Sequence, residues 1–210
     1  MAFPVPIASV LTGATVRQLA YWRKHTGSAE PLLIPEGKRG GRFLYSWADV
    51  VALRSIVYLR QEKSLPRIRR AVGMLRHLEA TEWTHLSAYR LISTDTTIVV
   101  KTPSGQLLDL ERQPGTVLEE VLMGDVLAPF ETISGRNVPA LKRPRPRIAV
   151  DPAVLGGYPV IAGTRVPFDV VAHLADDDLA PHEITAIYPS VDPEAIDDAT
   201  DFAEQVAAVA

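Results

Sequence analysis

Residues 155–171 read Leu-Gly-Gly-Tyr-Pro-Val-Ile-Ala-Gly-Thr-Arg-Val-Pro-Phe-Asp-Val-Val, and they constrain the fold more tightly than any other stretch of the chain. Gly156, Gly157, Pro159, Gly163 and Pro167 punctuate two short apolar runs. Glycine opens backbone angles closed to other residues, and proline removes a donor and fixes its own φ. The segment therefore predicts tight turns around very short strands, with no α-helix before Pro167. Thr164 and Asp169 carry oxygens that can accept from backbone amides near the start of a following helix. The stretch holds no nucleophile–base pair or metal cluster, and residues 157–163 lack the Lys and the spacing of a phosphate loop.

The chain has 210 residues, of which 47% are apolar, enough to bury a core in one large or a few small domains. It has no apolar run of membrane-spanning length and no basic-then-apolar leader. The absence of cysteine excludes disulfides and thiolate metal sites and fits a reducing, cytoplasmic setting. Net charge is −3 but unevenly spread: residues 1–80 carry 13 Lys/Arg against 5 Asp/Glu, a net of +8, whereas residues 141–210 carry 5 against 12, a net of −7. A basic head on an acidic body points to a polyanion partner at one end only.

In the head, an apolar segment at 7–11 closes at Thr12-Gly13, and a second helix restarts over 15–24. Arg17, Gln18, Tyr21 and Lys24 line one side of it, because residues three and four apart are neighbours. Two short helices joined by a Gly turn form the helix-turn-helix arrangement, in which Arg reads guanine, Gln reads adenine, and Lys or Tyr hold phosphate. Lys38-Arg39-Gly40-Gly41-Arg42-Phe43-Leu44-Tyr45 predicts a cationic β-hairpin tip beside that helix. Ser46 and Asp49 have capping-box spacing ahead of a helix over 47–61, and Ser64-Leu65-Pro66 opens another with Ile68, Val72 and Leu75 as its apolar stripe.

This order of parts, over about residues 6–76, resembles the MerR-type winged helix-turn-helix. The likeness rests on Thr12-Gly13-Ala14-Thr15-Val16-Arg17-Gln18-Leu19-Ala20-Tyr21-Trp22, on Gly41-Arg42-Phe43-Leu44-Tyr45, and on Ser46-x-x-Asp49-Val50. It implies base-facing positions at Thr15, Arg17 and Gln18 and phosphate contacts at Tyr21, Arg23, Arg42 and Tyr45. Ala20 stands where that family commonly has an Arg. The long dimerising helix, the effector-binding tail and the sensing cysteines of full MerR regulators are absent.

The middle alternates β-branched and apolar residues with turn chemistry, predicting a small antiparallel meander from strands at 90–93, 97–101 and 106–110. A helix is predicted over 117–127. Open edges of such a meander favour pairing with a second copy, so a homodimer is expected. Leu141-Lys142-Arg143-Pro144-Arg145-Pro146-Arg147 then predicts a stiff, extended basic linker.

The tail continues with a strand at 148–150, the Gly/Pro motif, a helix from Phe168, an acidic turn at Asp176-Asp177-Asp178, a helix over 181–188, and a last helix capped by Asp192 with Pro193 at its first position. Ile196, Ala199, Phe202, Ala203 and Val206 form the apolar stripe of that last helix. Its outer face is acidic, which opposes binding a polyanion and suits contact with a protein. The wording Gly157-x-Pro159-x-Ile161-x-Gly163-Thr164-Arg165-Val166, followed by a helix, Tyr188-Pro189 and another helix, resembles the VapB-like antitoxins that accompany PIN-domain ribonuclease toxins. The resemblance covers roughly the last sixty residues, about the size of a small domain. It implies a PIN-type ribonuclease as partner and an Arg entering that enzyme's acidic site; Arg143, Arg145 and Arg147 are candidates by chemistry, and Arg165 from within the motif.

The expected fold class is α+β: a winged helix-turn-helix head (1–80), a β-rich spacer (81–140), a basic Arg-Pro linker (141–147) and a small helical, helix-turn-helix-like domain (148–210). The expected function is a type II antitoxin and autorepressor that binds operator DNA through Thr15, Arg17, Gln18, Tyr21, Arg23, Lys24, Arg39, Arg42 and Tyr45. Catalytic residues, metal and cofactor are not expected. The alternative is a plain DNA-binding transcriptional regulator with an oligomerising or ligand-sensing tail.

Overall fold

The computed structural model describes residues 3–25, 30–78, 90–93, 97–102, 105–111, 117–118 and 126–210. Helix α1 (Val5–Thr12) has a proline in its first turn and ends at Gly13, whose φ of 77° lets its N–H reach the Ser9 carbonyl. A Cβ at Gly13 would also collide with the Val138 side chain, so the turn requires glycine twice over. Helix α2 (Val16–Trp22) starts from a capping box: Gln18 N–H donates to Thr15 Oγ1 at 3.0 Å, and Thr15 N–H donates to Gln18 Oε1 at 2.8 Å. Strands β1 (Phe3–Pro4), β2 (Gly37–Arg39) and β3 (Arg42–Tyr45) form an antiparallel sheet in the order β1-β3-β2, with Arg39 opposite Arg42 across the hairpin.

The Ser46–Asp49 capping box opens α3 (Trp47–Leu59), and the same Asp49 carboxylate accepts the Glu36 N–H at 3.1 Å, fixing the chain just before β2. Helix α4 (Leu65–Leu78) buries Ile68, Val72 and Leu75, the stripe read from the sequence. Burying side chains of this kind contributes ~1.5–3 kcal/mol each.

Strands β4 (Arg90–Ser93), β5 (Ile98–Lys101), β6 (Leu107–Asp109) and β7 (Val117–Leu118) form the expected meander, in that order. The helix expected over 117–127 is corrected at its start: Val117 and Leu118 pair with Leu108 and Leu107, because the open edge of β6 satisfies their backbone and suits a β-branched residue. Residues 119–125 lie outside the described residues. A further hairpin, β8 (Phe130–Glu131) with β9 (Asn137–Val138), was not foreseen.

In the tail, β10 (Ile148–Ala149) pairs antiparallel with β11 (Val160–Ile161), separated by one 3-10 turn at Leu155–Gly157 and by no α-helix, as the Gly/Pro pattern requires. Helices α5 (Phe168–Asp176), α6 (Pro181–Ile187) and α7 (Glu194–Ala207) follow, with the Phe168 and Phe202 rings edge-to-face at 4.8 Å. Asp192 Oδ1 accepts the Glu194 N–H at 3.0 Å, so Asp192 caps α7 as expected, and Pro193 already has helical angles.

The chain is α+β, and one contiguous apolar core runs from Phe3 and Leu53 in the head to Val171 and Phe202 in the tail. Two contacts bind its parts. The Gly157 backbone lies flat on the head, where a Cβ would meet Phe3 Cζ at 3.1 Å and Trp47 Cε3 at 3.4 Å. Arg54, 0% exposed in the middle of α3, donates to the carbonyls of Leu11, Val126, Ala128 and Pro139, the last two at 2.6 and 2.7 Å, and its guanidinium lies 4.9 Å from the Phe130 ring centroid. Among the described residues, no helix is long and apolar enough to cross a membrane.

Candidate nucleic-acid interface and tail surface

On the head, Arg17, Gln18, Tyr21 and Lys24 are exposed along and just beyond α2. Thr15 and Gln18 are also structural: the capping box occupies the Thr15 hydroxyl and the Gln18 carbonyl, leaving the Gln18 amide nitrogen as its outward donor. Bidentate reading of adenine would require Gln18 to leave the box, at a cost of about 1 kcal/mol. The Arg69 guanidinium lies 5.3 Å from the Tyr21 ring centroid, adding a cation from α4 to the same face.

At the β2–β3 tip, Arg39 and Arg42 are exposed and face each other across Gly40-Gly41. Arg23, half-buried at the end of α2, stacks on Phe43 at 4.3 Å, with the Lys38 ammonium 5.3 Å from the same ring. Arg23 thus holds the hairpin against α2. The phosphate contact expected at Tyr45 is corrected: that side chain is 1% exposed, because β3 turns it into the core. Burial raises its pKa, and the neighbouring Arg23 charge opposes that rise. Neither the Tyr45 hydroxyl nor Arg23 Nη1 has a hydrogen bond of good geometry among the described residues; the two interact electrostatically.

Residues 141–147 are packed, which corrects the extended linker. Leu141 and Pro144 are buried, Arg145 donates to Gln205 Oε1 at 2.9 Å, and the Arg147 backbone N–H donates to Asp198 at 2.7 Å. The Arg147 side chain pairs with Glu194 and, at 3.6 Å, with Asp192. The α7 segment therefore engages two of the four arginines expected to meet a nuclease, Arg145 through the neutral Gln205 and Arg147 through carboxylates. Arg143 and Arg165 are exposed. Arg165 projects from the turn between Ile161 and Val166, where Thr164 Oγ1 accepts the Val166 N–H at 3.0 Å. Glu194, Asp197, Asp201 and Glu204 line the outer face of α7. Asp176 ends α5 and Asp177-Asp178 form the turn after it, all three exposed, and no group of three potential metal ligands converges among the described residues.

Between the β2–β3 hairpin and the tail motif lies a cleft of about 1270 Å³. Arg39 and Arg42 stand at one wall and Tyr158, Pro167 and Asp169 at the other. Tyr158 donates to Asp169 Oδ2 at 2.7 Å; burial first, then that hydrogen bond and the carboxylate charge, push its pKa well above the ordinary tyrosine range. Sequence reasoning did not find this cleft, since it joins residues more than a hundred positions apart. Arg54 was also missed, although a lone Arg among apolar residues on α3 was a visible signal.

Residues 148–203 match the family described as protein of unknown function (DUF433). A protein of Sinorhizobium fredii named "Uncharacterized protein y4eO" is 30% identical over 168 residues, covering 73% of this chain and 75% of that protein. The chain belongs to the y4eO family. The X-ray crystal structure of Rv2018 from Mycobacterium tuberculosis is similar with a TM-score of 0.55 and 13% identity over 95% of this chain and 97% of that one. At that identity the likeness establishes the shared fold. The DUF433 match contains the whole Gly/Pro motif, α5, α6 and most of α7, so this y4eO-family chain joins that tail to the basic head.

Proposed function

We propose that this y4eO-family protein is a cytoplasmic type II antitoxin and autorepressor. The head binds operator DNA as a dimer, with α2 in the major groove and the β2–β3 hairpin as a wing, as the resemblance to MerR-type heads implies. The tail, with Arg143 and Arg165, binds and neutralises a PIN-type ribonuclease, as the resemblance to VapB-like antitoxins implies. The observation that carries the DNA half is the Arg39–Arg42 pair. Like charges directly opposite in a hairpin destabilise it unless an anion lies between them, and a phosphate backbone supplies that anion beside an exposed Arg17.

Copurification of the tagged protein from its own host should bring down a small nuclease in near-equal amount. Recovery of the protein with DNA alone would remove the antitoxin half. Arg17→Ala should weaken binding to the duplex upstream of its own coding sequence about tenfold and leave nuclease binding unchanged. Equal loss of both would point to unfolding and defeat the division of labour.

The cleft favours a second reading, a regulator sensing a small apolar anion held by Arg39 and Arg42. Under that reading, aromatic or aliphatic carboxylates raise the melting temperature of the wild type and not of Arg42→Ala.

A further inference from the structure

We infer that the β8–β9 hairpin is a second wing, which contacts duplex DNA beside the N-terminal end of α2; this rests on the DNA-binding reading above. The β2–β3 hairpin adjoins the C-terminal end of α2 through Arg23 on Phe43. At the other end of α2, Gly13 abuts Val138 and Thr132 of β8–β9, and a groove shared by Gln18, Thr132, Ile133 and Ser134 runs from there along the helix to Trp22. Helix α2 spans seven residues, about 10 Å, so whatever duplex meets its exposed face also meets the tips on both sides.

The second hairpin is rigidly held. Arg54 clamps the chain on both sides of it through the Ala128 and Pro139 carbonyls, and Gln61 Nε2 donates to the Glu131 carbonyl at 2.9 Å. Its tip is closed by Thr132 N–H to the Arg136 carbonyl and Gly135 N–H to the Thr132 carbonyl, each at 2.9 Å. What it presents outward is Ile133, 67% exposed, with Ser134 and Asn137. Ser and Asn donate to phosphate and sugar oxygens, and a protruding Ile is the kind of apolar wedge that minor-groove contacts employ. Arg60 lines the same groove and Arg136 lies on the hairpin itself, against the single carboxylate of Glu131 there. None of these hairpin residues belongs to the segment that resembles MerR-type heads.

The test measures affinity of the full-length protein for its upstream duplex across a salt series, with thermal melting as the folding check. Ile133→Glu and Ser134→Glu should each lower affinity at least tenfold with the melting temperature unchanged. Ser134→Lys, which keeps Ile133 in place, should tighten binding and steepen the slope of log affinity against log salt by about one, a gain that loss of structure cannot produce. Ile187→Glu, the same charge change on exposed α6, is the control and should bind like wild type. If Arg17→Ala weakens binding while the tip variants match wild type, the second wing is refuted and the DNA reading stands. If the tip variants lose nuclease capture and keep DNA, the hairpin is a protein-docking element and the inference is wrong. If the wild type does not bind duplex at all, both readings fall.

Discussion

Arg54 shows how one side chain can organise several segments. A fully buried guanidinium is tolerable only when its donors are satisfied, and here backbone carbonyls from residues 11, 126, 128 and 139 do so. Arg54→Met should cost about 3–5 kcal/mol, since it leaves several buried carbonyls without a donor, and in a chain of this size that lowers the melting temperature by roughly 10 °C. A melting temperature within a degree or two of wild type would show that water replaces the guanidinium. The sequence displayed the arginine but not its partners, which lie 43 to 85 positions away. Tyr158 carries a pH dependence of definite sign. Its pKa is raised above the model-compound value of 10.0 by burial and then by Asp169. Above pH ~10 the unfolded chain releases the phenolic proton while the folded chain keeps it. The associated stability is therefore complete below that pH and declines as pH rises towards the folded value. Denaturant titrations from about pH 8 to 11 should show a shallower alkaline decline in Tyr158→Phe than in wild type. Tyr45, also raised, keeps some of that decline in both proteins. An unchanged slope would exclude Tyr158 as a contributor.

At the scale of elements, boundaries were legible wherever chemistry is local. Gly13 ends α1, Ser46 with Asp49 opens α3, Asp192 opens α7, and the Gly/Pro pattern excludes an α-helix before Pro167. What escaped were two-residue strands, too short to show a period: β7 was mistaken for the start of a helix, and β8–β9 passed unnoticed although Ser134-Gly135 marks its turn. The faces that elements present to one another were likewise hidden, because a close backbone approach leaves no mark beyond the glycine itself. Gly157 and Gly163 separate these effects. Both have positive φ, 88° and 78°, but only Gly157 touches the head, whereas a Cβ at Gly163 meets open space. Gly163→Ala should cost about 1 kcal/mol of backbone strain, and Gly157→Ala roughly 2–3 kcal/mol, because Phe3 and Trp47 must also move. Equal costs in chemical denaturation would mean that the head yields freely at that contact.

The whole molecule is less divisible than its charge pattern suggests. A +8 head and a −7 tail read as separate modules on a basic linker, yet residues 141–147 are packed, Gly157 rests on Phe3 and Trp47, and a single core runs from Phe3 to Phe202. The structural likeness to Rv2018 also extends over 95% of the chain, beyond either end taken alone. Charge is a poor guide here because the cations and carboxylates stay mostly at the surface, while apolar contacts decide which segments pack. Head and tail should therefore unfold in one cooperative transition, with calorimetric and van't Hoff enthalpies in agreement. Under the proposed function this has a consequence. A ligand of either end stabilises the folded state of both, by about 2.7 kcal/mol at a free concentration one hundred times its Kd. Saturating duplex should then raise the single transition intact, tail included. A split into two transitions, with only one moved by DNA, would show that head and tail fold independently and that the core between them is too weak to couple the two partners.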